Sequence, residues 1–489
     1  MTPTTAHGLA PRVAQPFRPG LLSTPTTHEA TQVAQELLYE DYLSHHCFFN
    51  DMGFHNHLPH HLVAAYDMGA PPALLKSIYE ELAPTLRPIG KEGEDITEKN
   101  WTSRLGERKA YGSYLEFFTR ELATTGVEEV MSKYVMSPEA NGNESAMFAR
   151  LLGGLLHPFL QVGFGVEFGQ DFMIAQGLAM GAVTEPSFVG PMLDSPSNLP
   201  ILSDAPTKGV TLLALLREVY DSDLFKPSLP YEPNAFISHR VRQVAENPDR
   251  LPALRKIYAK WSIDTTAPAS SPEWDTRIGE CFVQSTLLLA ATSRPNRAPR
   301  MDFFLMHLLT AALCLPSVLR VLPNPVHKAQ LLQGYARTSA LVVLTRGRPR
   351  IDVPLVMSYP VLPKPPRAPV GGPDALGTET PNPWLAMVHN GLHHKDAHVL
   401  KTVRSLYYAA QLYGSTPAGE FLGVRDAEGR ETHEGAGTLD GSVFVRAAGV
   451  MTKALGWVGY GEKEGDWDRS ALGWDAAWEE EGFGLSSRM

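Results

Sequence analysis

The stretch FFLMHLLTAALCLPSVL, residues 303–319, lies between Asp302 and Arg320 and is the longest uncharged run in the chain. Its reading decides the fold. Its 17 residues fall short of the roughly 20 mainly apolar residues that a membrane span needs. His307, Thr310, Pro316 and Ser317 also interrupt it, and a proline removes a helical hydrogen bond. The run predicts a buried helix that ends at the proline. A helix apolar all round needs other elements to surround it.

The rest of the chain supplies them. From Thr31 onward, apolar residues recur at three- and four-residue spacing: TQVAQELLYEDYL, then PPALLKSIYEELAPTL, then SYLEFFTRELATTG. NESAMFARLLGGLLHPFLQVGFGVEFG, VTLLALLREVYD, VHKAQLLQGYARTSALVVL and DAHVLKTVRSLYYAAQLYG continue the pattern. Strand-like alternation is scarce, with ALVVLTRG (340–347) and RIDVPLVMSY (350–359) the best candidates. The expectation is a mainly α protein: one large helical domain over residues 28–458, with long loops. Residues 1–27, rich in Pro and Thr and without a period, predict a flexible N-terminal arm. Residues 359–383 are a Pro/Gly-rich loop long enough to be a lid, a linker or disorder. Residues 459–489 form an acidic segment with Trp467, Trp474 and Trp478, which either docks on the body or binds a partner.

Composition narrows the function. A net charge of -10 offers no basic excess for a phosphate backbone, so nucleic acid is not an expected partner. Three widely spaced cysteines, Cys47, Cys281 and Cys314, fit a reducing compartment without a disulfide framework. MTPTTAHGLAPRVAQPF has no apolar core of the secretory kind. A cytoplasmic protein without a membrane segment is expected. GFGVEFG (163–169) superficially resembles a phosphate loop, but it continues a helical pattern and reads as close helix packing. No Walker loop, hydrolase elbow or HExxH motif occurs.

The histidines remain. FHNHLPHHLVAAYDMGA, residues 54–70, places His55, His57, His60 and His61 at the mouth of a predicted helix. His157 in GGLLHPFLQVG and His307 in FFLMHLLTAAL each sit among apolar residues. A lone histidine on an apolar helix is more often a satisfied core residue than a ligand. Left unpaired in a core, an imidazole costs on the order of 1–3 kcal/mol. A shared metal would satisfy several at once, since helical domains build such sites with one ligand per facing helix. His398 and Lys401 in DAHVLK share a helix face, with Asp396 placed to cap that helix. His393 and His394 read as solvated loop residues. Imidazole suits iron, zinc, copper or nickel, so ligand type alone leaves the metal open.

FHNHLPHHLVAAYDMGA, GGLLHPFLQVGFGVEF, DFFLMHLLTAAL and DAHVLKTVRSLYYA resemble, in that order, the blocks of the questin oxidase-like family, over roughly residues 35–455. The resemblance implies an oxygenase of fungal aromatic polyketide pathways that cleaves an anthraquinone-type ring or inserts oxygen beside a quinone carbonyl, as Baeyer–Villiger oxidases do. One branch of the family uses a mononuclear non-haem iron held by four histidines and a carboxylated lysine. Another needs no metal or organic cofactor. Carried over block by block, the resemblance implies His57, His157, His307, His398 and Lys401 as ligands, with His61 the alternative to His57 and a possible catalytic residue. A lysine amine that has lost its proton can add CO2 to give an anionic oxygen donor, and burial beside a cation favours the neutral amine.

The implied partners are a small aromatic polyketide, O2 and a separate reductase supplying the hydroquinone. Phe164, Phe168, Phe303, Phe304 and Tyr408 lie near the histidine blocks in sequence and are candidates to line an apolar pocket; otherwise they are core. Two rivals stand beside the iron reading. In one, His57 or His61 is a general base and the reduced substrate itself activates O2, with no metal. In the other, the protein is a non-catalytic helical binder of an aromatic intermediate.

Overall fold

The computed structural model describes residues 17–90, 93–142, 145–193, 210–268, 270–366 and 382–479. Helix accounts for 60% of it, and the described residues hold no sheet, only isolated bridges such as that between Asp302 and Asp468. Neither of the two strand candidates is a strand. ALVVLTRG ends a 21-residue helix, Pro325–Thr345, and RIDVPLVMSY contains the short helix Val353–Ser358. The β-branched run misleads because the long helix is buried nearly all round, so packing overrides local preference.

The helices that build the functional region are α1 (His28–Ser44), α2 (Leu58–Asp67), α3 (His157–Phe168), α4 (Asp171–Val183), α5 (Phe303–Ala312), α6 (Leu315–Arg320), α7 (Pro325–Thr345) and α8 (Ala397–Tyr413). The run that opened the sequence reading is α5 followed by α6, a buried pair broken just before Pro316. Counted through Arg320 it does reach the length and apolarity of a membrane span, contrary to the expectation from its 17 uncharged residues, yet 78% of it is buried inside the protein.

Helix α2 packs on α1, α3 and α8, and α5 packs on α3 and α8. The glycines of GFGVEFG serve helix packing: a Cβ on Gly165 would stand 2.6 Å from the Ile174 nitrogen of α4, and one on Gly163 would stand 2.4 Å from Cys314 Cβ.

Two buried ion clusters lock this bundle. On α8, Arg404 donates through Nε to Asp67 Oδ2 of α2 at 2.8 Å and through Nη2 to Glu167 of α3. Arg346, just past α7, donates to Asp302 Oδ2 at 2.8 Å. Asp302 also caps α5, accepting the N–H groups of Phe304 and Leu305.

Residues 17–27 and the described part of the C-terminal segment, 459–479, are docked. Where a flexible arm to residue 27 was expected, residues 17–27 are tied down. Arg18 N–H donates to Phe168 O, Leu21 N–H to Glu167 Oε1, and Leu22 and Ser23 N–H to the Asp67 carboxylate. These donors are what two carboxylates facing one guanidinium still need. Residues 1–16 lie outside the described residues, as does most of the Pro/Gly-rich loop, 367–381. In the C-terminal segment Trp467, Trp474 and Trp478 are all buried, so it packs on the body. His393 is exposed as expected, but His394 is buried and donates to Leu455 O at 3.3 Å.

Candidate metal centre

His57, His157, His307 and His398 come together, with one ring nitrogen from each lying within 4.8 Å of the others. Their origins are distinct. His57 is the N-cap of α2, His157 opens α3, His307 lies mid-way along α5, and His398 is in the first turn of α8.

Each of three rings is anchored by its far nitrogen. His157 Nδ1–H donates to Gly154 O at 2.7 Å, His307 Nδ1–H to Phe303 O at 2.8 Å, and His398 Nδ1–H to Asp396 Oδ1 at 2.6 Å. A carbonyl or carboxylate can only accept, so these contacts fix the tautomer and leave Nε2 with its lone pair. For His307 and His398 that Nε2 is buried without a partner among the described residues. His157 Nε2 stands 3.0 Å from His57 Nε2. Burial holds all four rings below the ordinary imidazole pKa, with the Lys401 ammonium adding to the effect. Neutral rings with convergent lone pairs suit a metal ion.

The backbone before His157 is unusual. Gly154, Leu155 and Leu156 have φ of 52°, 54° and 68°, three successive left-handed residues. Each left-handed leucine costs roughly 1–2 kcal/mol. The turn aims the Gly154 carbonyl at His157 and starts α3 with that ring pointing inward. His55 stacks flat on His157, with ring centres 4.1 Å apart and planes 3° apart.

Lys401 is fully buried beside the group, its Nζ has no partner among the described residues, and burial pushes its pKa down to about 8, with Asp396 partly opposing. The amine is thus easily deprotonated, as carbamate formation requires. His60 and His61 are also buried, but neither belongs to the four-ring group.

Of the aromatic candidates, Phe303 lies at the centre, its ring 4.9 Å from both His307 and His398. Phe164 lies 5.3 Å from His60. Phe168 turns to Phe17 and Tyr66, Phe304 packs under Arg346, and Tyr408 meets Phe282. A surface cleft of about 260 Å³ is lined by Phe17, Thr31, Tyr66 and Asp67, away from the four rings.

The questin oxidase-like family profile matches residues 54–406, which contain all four histidines and Lys401. The chain belongs to the questin oxidase-like family. It is 29% identical over 325 residues to a questin oxidase of Aspergillus fumigatus, covering 65% of this chain and 71% of that protein. It is 26% identical over 406 residues to a Baeyer–Villiger oxidase of Pestalotiopsis microspora, covering 78% and 82%. It is 24% identical over 394 residues to the oxidoreductase AflY of Aspergillus parasiticus, covering 77% and 72%. Family membership makes this chain an oxidoreductase acting on a small molecule.

Two contributors to the questin oxidase-like site escaped the sequence reading. Trp467 donates its indole N–H to Asp396 Oδ2 at 2.9 Å and so helps to hold the carboxylate behind His398. Gly154 supplies both the left-handed turn and the acceptor for His157. The doubled glycine of GGLLH was the available signal; for Trp467 there was none, because its partner lies 71 residues away.

Proposed function

We propose that this oxidoreductase is an oxygenase of secondary metabolism that cleaves, or inserts oxygen into, a ring of an anthraquinone-type aromatic polyketide. In this reading a mononuclear non-haem iron is held by His57, His157, His307 and His398, with a carboxylated Lys401 as an anionic fifth donor. The observation that carries it is the set of anchored, neutral imidazoles whose free nitrogens converge. Iron bound there would supply the single electrons that let triplet O2 react with a closed-shell substrate.

The chain's own residues do the rest. The carbonyls of Gly154 and Phe303 and the carboxylate of Asp396 hold three rings in one tautomer. Burial excludes water and keeps the rings neutral. Phe303 presents an aromatic surface against which a fused-ring substrate can lie. His61, kept neutral by burial and with both ring nitrogens unpartnered among the described residues, can accept a hydrogen bond from a phenol. A separate reductase would deliver the substrate as its hydroquinone.

A second reading rests on one contact. His57 Nε2 and His157 Nε2, 3.0 Å apart, could share a single proton and act as a metal-free base while the reduced substrate activates O2.

The deciding experiment measures iron per chain together with O2 uptake on a hydroxyanthraquinone and its hydroquinone, before and after chelation. Iron near one per chain, activity lost on chelation and regained with Fe(II), and loss of iron in His157→Ala and His307→Ala with the helical circular dichroism intact are the expected results. Full activity in metal-free protein would select the second reading. Full iron content in both variants would overturn the ligand assignment.

A further inference from the structure

Beside the four rings stands a cation that the proposed chemistry does not use. Arg469 lies in the C-terminal segment, beyond the residues matched by the family profile. Its guanidinium carbon is 4.1 Å from the centre of the Phe303 ring, on which it stacks. That ring is in turn 4.9 Å from His307 and from His398. One aromatic ring therefore separates the cation from two of the four imidazoles.

The peptide that carries Arg469 is fixed on both sides. Trp467 is bonded to Asp396, Asp468 N–H donates to Met301 O at 2.8 Å, and Phe303 N–H donates to Asp468 O at 2.8 Å. Arg346 donates to the Arg469 carbonyl at 2.9 Å. Of the carboxylates nearby, Asp396 is engaged with His398 and Trp467, and Asp468 with Arg300 and Ser470, while Asp466 is exposed to solvent and makes no ion pair with Arg469. Among the described residues, no acceptor lies within hydrogen-bonding distance of the half-buried Arg469 guanidinium, and no carboxylate within ion-pairing distance. A planar group with five N–H donors, stacked on an aromatic ring and bonded to no protein acceptor among the described residues, is suited to an oxyanion.

We propose that Arg469 binds a phenolate oxygen of the substrate and thereby sets which edge of the fused ring faces the four histidines. The proposal rests on the aromatic-substrate reading above. It makes the C-terminal segment part of the substrate site and Arg469 a residue that selects ionised phenols over their ethers.

The test uses the full-length protein as purified, with two probes of one shape: 2-hydroxyanthraquinone, whose colour reports its ionisation, and 2-methoxyanthraquinone, which cannot ionise. Wild-type protein should bind the hydroxy probe as its phenolate and lower its apparent pKa. Arg469→Gln should weaken that probe by about 10- to 100-fold, raise its bound pKa by about one unit, and leave the methoxy probe and the metal content unchanged. Arg469→Lys should fall between. Equal weakening of both probes, or unchanged binding of the hydroxy probe, would overturn the assignment while leaving the aromatic-substrate reading standing. Failure of wild-type protein to bind either probe would overturn both.

Discussion

Trp467 and His398 are held to opposite oxygens of one carboxylate. The indole N–H reaches Asp396 Oδ2 at 2.9 Å, and the imidazole N–H reaches Oδ1 at 2.6 Å. The backbone N–H of His398 also donates to Oδ1. Asp396 is therefore both the cap of α8 and the group that fixes a candidate ligand, and a tryptophan from the C-terminal segment steadies it.

Replacing that tryptophan tests the link. Trp467→Phe keeps most of the packing and removes the donor. Stability should fall by about 1 kcal/mol, and metal affinity by about 10-fold. Asp396→Asn should cost more, up to about 100-fold in affinity. Metal titration followed by equilibrium dialysis gives both numbers. Unaltered affinity in Asp396→Asn would show that the carboxylate serves only as a cap.

Lys401 separates stability from function. Its pKa is about 8 in the folded protein against 10.5 ordinarily. Below pH 8 the buried ammonium costs the folded state about 3 kcal/mol, and the cost vanishes as pH rises from 8 to 10.5. In metal-free protein Lys401→Met should raise the urea midpoint at pH 7 and flatten its rise above pH 8. The same change should abolish oxidation. Lys401→Arg keeps the charge, cannot form a carbamate, and should also be impaired. Lys401→Glu should recover part of the activity through its shorter carboxylate. Full activity in Lys401→Arg would remove the carbamate from the mechanism.

Acid should destabilise the protein through its buried neutral histidines. His433, remote from the four rings, has its pKa lowered to about 4, first by burial and then by Arg217. The unfolded chain therefore binds more protons between pH 6.5 and 4. The contribution is complete above pH 6.5, shrinks as pH falls, and is gone near pH 4. At pH 5 the loss is about 2 kcal/mol for this one group. Denaturant melts of wild type and His433→Gln at pH 7.5 and 5 should differ by that amount in their pH dependence. An identical dependence would mean that the ring is already solvated in the folded state.

Gly154 should tolerate no side chain. At φ of 52° a Cβ is strained, and it would stand 2.9 Å from His55 Nε2. His55 is stacked on His157, so Gly154→Ala pushes one ring of the centre through another. Loss of about 1–2 kcal/mol in stability, with weakened metal binding, is expected. A variant of wild-type metal affinity would show that the stack can slide without moving His157.

The fold was legible because its evidence is local. The spacing of apolar residues announced the helices; Asp396 caps α8 and α5 stops short of Pro316 as the pattern implied, while the cap at Asp302 emerged only from the structure. The five candidate donors could be named from blocks of sequence, but the convergence of their nitrogens could not, since it depends on where four helices cross. Val342 and Val343 read as strand because a sequence does not reveal how deeply a helix will be buried. His394 read as solvated because its acceptor, the Leu455 carbonyl, lies 61 residues further on. Arg469 carried no signal at all: only the docked segment brings it onto Phe303.

The contacts at residues 17–23 and 467–470 also order events in time. During synthesis the N-terminal stretch leaves the ribosome long before Glu167 and Phe168 exist to receive it. All four histidines emerge before Trp467, so a nascent chain holds every candidate ligand while the carboxylate behind the last one is still unsteadied. A chain stopped short of residue 467 keeps all four candidate ligands but lacks the indole that steadies Asp396, and should hold a metal more weakly than the full chain.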